Sequence, residues 1–296
     1  MIKYAKTLTT LAFAFGALGL IGGFFGAYHP AGDSLAVFRP YTLAALFFAM
    51  FGFALWKQRM LTYISLALLA YGGYSLRAQF VSSAQEAGFA IMQHNNLFSN
   101  DSRGLVDYAH ANTPDIITLQ EITTGSVLQL ASMRTDYPYQ VICPFEAFGA
   151  VAILSKFRFV GEQGEGCLEG RGMVSVRVKL PAGEVTVVSL HLHWPWPYQQ
   201  ESHLADLLPE LEGLKGPVFI GGDFNMVAWS HMVERIESAT DTKAIGGLRF
   251  SKTLFSGFVQ LPIDQVLGPV NWPASASLGP RLGSDHNSVI AQFALN

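Results

Sequence analysis

The chain has 296 residues, half of them hydrophobic and 14 % charged, with a mean hydropathy of +0.29. A soluble domain carries roughly 25 % charged residues, so a uniformly soluble chain is excluded, and 22 Phe with 29 Gly exclude a solvated disordered tail or a heptad array. Residues 1–80 hold six basic residues and one acidic residue, whereas residues 81–296 hold 13 basic and 21 acidic, giving formal charges of +5 and −8.

The first eighty residues read as a membrane anchor. No Asp, Glu, Lys or Arg occurs between Lys6 and Asp33, a gap of 26 residues. Crossing a hydrocarbon core of ~30 Å takes roughly 20 residues of helix. The pattern predicts three transmembrane helices at about 9–28, 40–56 and 60–76. The glycines Gly16, Gly19, Gly22, Gly23 and Gly26 would weaken a soluble helix, but in a membrane they let helices approach closely. A cleaved signal peptide is the alternative for the first run; two further apolar runs just downstream weigh against it. Lys3, Lys6, Lys57 and Arg59 fall on one side, Arg39 and Arg77 on the other. That asymmetry puts the N-terminus in the cytoplasm, and an odd number of spans puts residues 81–296 outside. The expected location is therefore the cell inner (cytoplasmic) membrane, multi-pass, with the second domain extracytoplasmic. Cys143 and Cys167 both lie in that domain. An oxidising compartment lets such a pair bond; two unrelated core thiols are the alternative.

From residue 88 the pattern alternates between strands and helices. Residues 89–95 read as a strand, with Asn100 as an N-cap for a helix through 111, and DIITLQE at 115–121 as a β-branched strand ending in an acid. Val174, Val176, Val178 and Leu180 alternate with polar residues, which marks a half-buried strand. EVTVVSLHLH at 184–193 and residues 218–222 read as more deeply buried strands. Between them Leu204, Leu207, Leu208, Leu211 and Leu214 recur at helical spacing until Gly216-Pro217. Polar residues of the kind that ligate or catalyse close several of these strands: Asn95, Glu121, His191, Asp223 and Asp285-His286.

Cleavage of a phosphate ester needs oxygen ligands for a hard divalent cation, a base for water, and donors for the charge that develops. Carboxylates, amides and imidazoles of this set supply those types. No CxxC, HExxH, GxSxG or P-loop is present, so zinc, serine-hydrolase and nucleoside-triphosphate chemistry are unsupported. The ordered motifs Asn95, Leu119-Gln120-Glu121, His191, Gly222-Asp223-Phe224-Asn225, Ile263-Asp264 and Ser284-Asp285-His286 resemble the endonuclease/exonuclease/phosphatase family over residues 88–295. The anchor followed by this domain is similar to a membrane-anchored bacterial subgroup.

The resemblance implies a four-layer α/β sandwich, two packed β-sheets flanked by helices. It implies Mg²⁺ or Mn²⁺ held chiefly by Glu121, with Asn95 and Asp285 nearby. His286 would be the general base, oriented by Asp264; Asp223 would position or activate the water; Asn225 and His191 would stabilise phosphoryl charge. Asn96 stands beside Asn95, and the register between them rests on the family pattern. His193 shares a strand face with His191 and is expected to be supporting or structural.

The expected function is a membrane-anchored, metal-dependent phosphoesterase, using in-line attack of water on a phosphodiester or phosphomonoester. The alternatives are an endonuclease for extracytoplasmic DNA or RNA, and a non-catalytic membrane-bound protein that holds metal or phosphate. Expected partners are the lipid bilayer and a phospholipid, an inositol phosphate or a nucleic acid, with no protein partner implied. The formal charge of −8 disfavours non-specific nucleic-acid binding, which relies on Lys and Arg. The segment Trp194-Pro195-Trp196-Pro197-Tyr198 suits a membrane interface or base stacking, and equally a rigid packed turn.

Overall fold

The computed structural model describes residues 2–80, 88–145, 148–161 and 166–294. In the N-terminal part, α1 (Ile2–Gly22) runs straight through the first apolar segment. It starts earlier than the span expected at 9–28 and stops at Gly22-Gly23, where the chain turns. A short helix that the hydropathy did not announce follows, α2 (Pro30–Ala36), with Pro30 in its first turn and the His29 ring accepting from the Ala31 N–H at 3.1 Å. Then come α3 (Arg39–Leu55) and α4 (Arg59–Ser75), joined by a turn at Lys57.

Helix α1 is long and apolar enough to cross a membrane by itself, and α2 with α3 pass the same test as one span bent by 62°. Helix α4 is one residue below that length, so the expectation of three spans is not met among the described residues. Seventeen residues rise only about 25 Å, less than the ~30 Å core. The helices nevertheless pack closely. A Cβ at Gly16 would lie 2.9 Å from the Thr42 carbonyl oxygen, so only glycine lets α1 and α3 meet there.

After residues 81–87, which lie outside the described residues and hold the expected domain junction, two sheets form. The first-sheet strands are β1 (Phe89–Asn95), β2 (Ile116–Gln120), β3 (Tyr139–Pro144) and β4 (Ala150–Ser155). The second contains β5 (Phe159–Val160), β6 (Cys167–Leu168), β7 (Met173–Leu180), β8 (Gly183–His191), β9 (Val218–Asp223) and β10 (Thr242–Ala244). A hairpin, β11 (Lys252–Leu254) and β12 (Val259–Leu261), stands apart. Strand β13 (Asp264–Pro269) then joins the second sheet, while β14 (Ala274–Leu278) and β15 (Val289–Phe293) return to the first. The orders are β14-β15-β1-β2-β4-β3 and β10-β13-β9-β8-β7-β5, with β6 on β7.

Each sheet has one parallel pair, β1/β2 and β8/β9, and is otherwise antiparallel. A parallel pair needs a crossover. Here α5 (Arg103–Asn112) links β1 to β2, and α7 (Gln200–Glu212) links β8 to β9. The remaining helices are α6 (Thr124–Ser132) and α8 (His231–Thr240).

Strand alternation sets the layers. Phe89, Ile91 and Ile116 of the first sheet meet Val185, Val187 and Phe219 of the second in a core between the sheets. On the outer face of the first sheet, Met92, Ile117 and Leu119 pack on Leu105, Ala109 and Leu130. On the outer face of the second, Val188, Leu190 and Ile220 pack on Leu204, Leu207, Leu211, Val233 and Ile236. The result is the expected sandwich of two sheets between helices.

Cys143 of β3 and Cys167 of β6 form a disulfide, with Cα atoms 5.4 Å apart, that ties an edge of one sheet to the other. Replacing both by Ser should lower unfolding free energy by about 3–4 kcal/mol on the chain-entropy model for a loop of this length. Urea denaturation of the two proteins checks this.

Candidate active site

The two crossovers place the carboxyl ends of β1, β2, β8 and β9 at one edge of the sandwich. In the second sheet, His191, Asp223 and Asp264 are register partners on three adjacent strands and form a row. Facing that row from the first sheet are Asn95, the last residue of β1, and Glu121, just beyond β2. His286 arrives from the β14–β15 connection, which pairs with the hairpin through an isolated bridge at Lys252. Glu121 and Asn225 both adopt left-handed backbone (φ 56° and 48°), a strain of the kind that folds tolerate at functional positions.

The contacts follow from this placement. The Asn95 amide donates to Glu121 Oε1 and to Asp223 Oδ2, both at 2.9 Å, and accepts from the Leu97 N–H. Asn96 turns instead to the Ser99 carbonyl and the Ser126 hydroxyl, so Asn95 is the residue in the cluster. His286 Nδ1 donates to Asp264 Oδ2 at 2.8 Å. Its Nε2 faces Asp223 Oδ2 at 3.7 Å and Asp285 Oδ1 at 3.8 Å, too far for direct hydrogen bonds. His191 Nε2 lies 3.7 Å from Glu121 Oε1 and 3.9 Å from Asp223 Oδ2. Asn225 donates its N–H to Asp223 Oδ1 and its amide to the Leu192 carbonyl, leaving its buried Oδ1 without a protein partner.

Burial governs the electrostatics. It pushes the His191 imidazole down to about 3, with neighbouring His286 adding to the effect, so His191 is neutral. Burial also raises Glu121. It lifts Asp223 to about 7, helped by the charge of Asp264. Burial alone would lower His286, yet Asp264 and Asp223 together hold it up at about 9. Asp264 is the reverse case: burial would raise it, but the His286 charge and hydrogen bond keep it low.

Among the described residues, two groups have ligand atoms close enough for one cation, Glu121–His191–Asp223 and Asp223–Asp264–His286. Glu121 Oε2 and Asp285 Oδ1 are buried without hydrogen-bond partners, as carboxylate oxygens that serve a hard cation would be. The oxygen-rich donor set therefore fits Mg²⁺ or Mn²⁺.

The profile of the "Endonuclease/Exonuclease/phosphatase family" matches residues 92–286, which contain every residue of this cluster. The chain belongs to this family. A UPF0294 protein of Vibrio cholerae is 33% identical over 133 residues, 42% of this chain and 46% of the relative. The match thus spans less than half the length of that curated relative. Among solved structures, a Staphylococcus aureus beta toxin mutant with bound magnesium ions superposes with TM-score 0.56 at 13% identity, covering 70% of this chain and 99% of the toxin. Sphingomyelinase C from Streptomyces griseocarneus gives TM-score 0.53 at 15% identity, covering 70% and 99%. A humanized D. rerio TDP2 gives 0.54 at 17%, covering 70% and 98%. At these identities they establish the fold.

All eight residues singled out in the sequence lie in or against the cluster of this family member. Ser284 accepts from the His286 N–H, as a loop-orienting residue would. His193 packs at a tilt against the rings of Phe145, Phe148 and His203, outside the cluster. Three participants escaped the sequence reading. Lys252 is buried and pairs with Asp285 Oδ2 at 2.6 Å. Gln93 donates to Asp264 Oδ1 at 2.9 Å, and the Ser251 hydroxyl accepts from the Asp264 N–H at 3.2 Å. Gln93 sits two residues before Asn95, so strand alternation could have found it; nothing in the sequence marks Lys252 or Ser251.

His286 has a folded pKa above its unfolded value of 6.5, so its contribution to stability is full below pH 6.5 and disappears as pH rises through about 9. In metal-free protein, an NMR titration should find His286 protonated at neutral pH. Asp264→Asn should move its midpoint down by more than one unit, while His191 stays neutral throughout. An unmoved midpoint would refute the assigned pairing.

Proposed function

We propose that this protein is a membrane-anchored, divalent-metal-dependent phosphoesterase that hydrolyses its substrate by in-line attack of water. The observation that carries the reading is the buried Asp264–His286 pair, whose free Nε2 faces Asp223 across 3.7 Å. A carboxylate on Nδ1 fixes the imidazole tautomer and raises the basicity of Nε2. A general base must be unprotonated, and the charge of a bound cation would favour the neutral form of His286. In that form its Nε2 takes the proton of a water that also contacts Asp223, and Asp264 stabilises the imidazolium that forms.

Glu121, with Asn95 and Asp285 beside it, would hold the cation, which supplies polarisation of the phosphoryl oxygen and compensation of its developing charge. Asn225, through the second hydrogen of its amide, and neutral His191 would donate to that phosphoryl group. The Lys252 ammonium against Asp285 lowers the net negative charge that an incoming phosphate meets.

Several features support the membrane reading. Leu11, Phe15, Leu18, Phe47, Phe48, Phe51 and Leu66 point outward from α1, α3 and α4, a surface far too apolar for water. The basic turn at Lys57 shares an end with Lys6, which lies over the Trp56 ring. At the opposite end Arg39 donates to the Gly23 carbonyl and the Ser75 hydroxyl, gathering α1, α3 and α4 where they meet the catalytic domain. With α1 spanning, the exposed apolar faces of α3 and α4, packed on it, would lie against the same bilayer. The disulfide and the charge asymmetry agree with an extracytoplasmic catalytic domain.

The full-length protein should hydrolyse bis(p-nitrophenyl) phosphate with Mg²⁺ and stop with EDTA. His286→Ala and Asp223→Asn should each reduce turnover by about 10²–10⁴-fold, the range for loss of general acid–base catalysis. Glu121→Gln should weaken Mg²⁺ binding by about 10-fold or more in calorimetry. Metal binding without hydrolysis of any phosphate ester would leave the non-catalytic alternative standing.

A further inference from the structure

Beyond residue 88, exposed aromatic side chains concentrate on two segments that flank the cluster. One follows β8 and carries Trp194, Trp196 and Tyr198; the other is the β11–β12 hairpin, whose tip carries Phe255 and Phe258, 75 % and 88 % exposed. Hairpin tips ordinarily carry Gly, Asn, Asp or Ser, so two bare phenylalanines there need a non-aqueous partner.

Both segments are fastened to the outer end of the anchor. The Ser34 hydroxyl donates to the Trp196 carbonyl at 2.8 Å, and the His29 ring stands edge-on to the Trp196 ring at 5.9 Å. The Tyr41 hydroxyl, in the first turn of α3, donates to the Gln260 carbonyl at 2.8 Å and accepts from the Gln260 N–H at 2.7 Å. Phe258 lies two residues before Gln260, on the side of the hairpin tip and roughly 7 Å away along an extended chain. The same hairpin begins at Lys252 inside the cluster, three residues or roughly 10 Å from Phe255. That offset matches the depth of about 5–10 Å at which interfacial segments sit in the headgroup and acyl boundary. A tip at that depth leaves the cluster at phosphate level.

We propose that these two aromatic segments seat the mouth of the active site in the headgroup layer of the bilayer that holds the anchor, and that the substrate is a phosphodiester of an amphiphile resident in that leaflet. This rests on the phosphoesterase and membrane readings above. Water oxygen bonds to phosphorus, the ester P–O bond to the leaving alcohol breaks, and the departing oxygen takes a proton. The products are a phosphate monoester and an alcohol, one of them still lodged in the leaflet. Trp and Tyr at the rim suit the interface itself, and Phe255 and Phe258 its acyl edge. The formal charge of −8 on residues 81–296 disfavours a soluble polyanion as substrate.

The test uses the full chain in nanodiscs of phosphatidylethanolamine, phosphatidylglycerol and sphingomyelin. A nitroxide on Phe258→Cys reacts selectively, because both native cysteines are bonded to each other. Its collision rate should be higher with oxygen than with a water-soluble nickel chelate; the reverse order overturns the seating. Phe255→Ser/Phe258→Ser should lower hydrolysis of the disc lipids by about tenfold relative to hydrolysis of bis(p-nitrophenyl) phosphate, the scale of moving one apolar side chain out of water. An unchanged ratio overturns the role of the rim. DNA cleaved faster than every disc lipid overturns the amphiphile but leaves the phosphoesterase intact. Failure on the lipids, DNA and the soluble diester together removes the phosphoesterase reading itself.

Discussion

Two sheets pack face to face only where their inner surfaces are apolar, yet the strand ends of this sandwich carry four carboxylates and two imidazoles. Burying one unpaired charge costs several kcal/mol, so the inner face has to change character along each strand. It does so by steps of two residues. On β1 the inward sequence is Phe89, Ile91, Gln93, Asn95; on β2 it is Ile116, Thr118, Gln120; on β9 it is Phe219, Gly221, Asp223. A neutral polar layer thus separates the hydrocarbon core from the charges. Gln93 donates to Gln120 as well as to Asp264, and Gln120 donates to the Ser189 hydroxyl, which donates to the Leu119 carbonyl. Gly221 belongs to the same layer, because a Cβ there would collide with Thr118 Oγ1 of the opposite sheet.

That layer explains how Asp264 can remain charged while Asp223, in the same row, is pushed toward neutral pH. Asp264 has the imidazolium of His286 and the Gln93 amide directly on its oxygens. Asp223 has only the Asn95 amide and one backbone N–H, and its nearest imidazole nitrogens stand 3.7 and 3.9 Å away. Two carboxylates with the same reference pKa thereby reach opposite states, the arrangement that separates an orienting group from one able to exchange a proton.

The sequence made the strand-end residues legible because they close strands whose apolar alternation is unambiguous. Asn95, Glu121, His191 and Asp223 all sit where a buried run ends, and the parallel β1/β2 and β8/β9 pairs bring those ends together. Lys252 and Ser251 were not legible. Ser251 precedes, and Lys252 opens, a strand only three residues long, its partner is another short strand, and its approach to His286 is a single bridge. The N-terminal helices show the opposite failure. Hydropathy marked the apolar runs but could not locate the helix ends. Those depend on turns at Gly22-Gly23 and on the His29 cap of α2, which hydropathy does not register.

The sole acidic residue of the first eighty is informative for the same reason. Asp33 is buried in α2 and would be costly unless compensated. Its two oxygens accept from the backbone N–H groups of His231 and Met232, at 2.8 and 2.9 Å, in the first turn of α8. A helix N-terminus offers unpaired N–H groups and partial positive charge, and Ser230 supplies only one further cap there. The carboxylate therefore completes helix α8 from 198 residues away, while Trp229 Nε1 donates back to the Ala36 carbonyl. Helix α8 follows Asp223 and Asn225 by a few residues, with Met226 and Val227 packed in the core beneath it. Holding the start of α8 against α2 consequently holds the far end of the loop that carries Asn225. The N-terminal helices are thus joined to the sandwich at the same edge of the fold where the clustered polar residues converge, and a flexible connection alone would not supply that constraint.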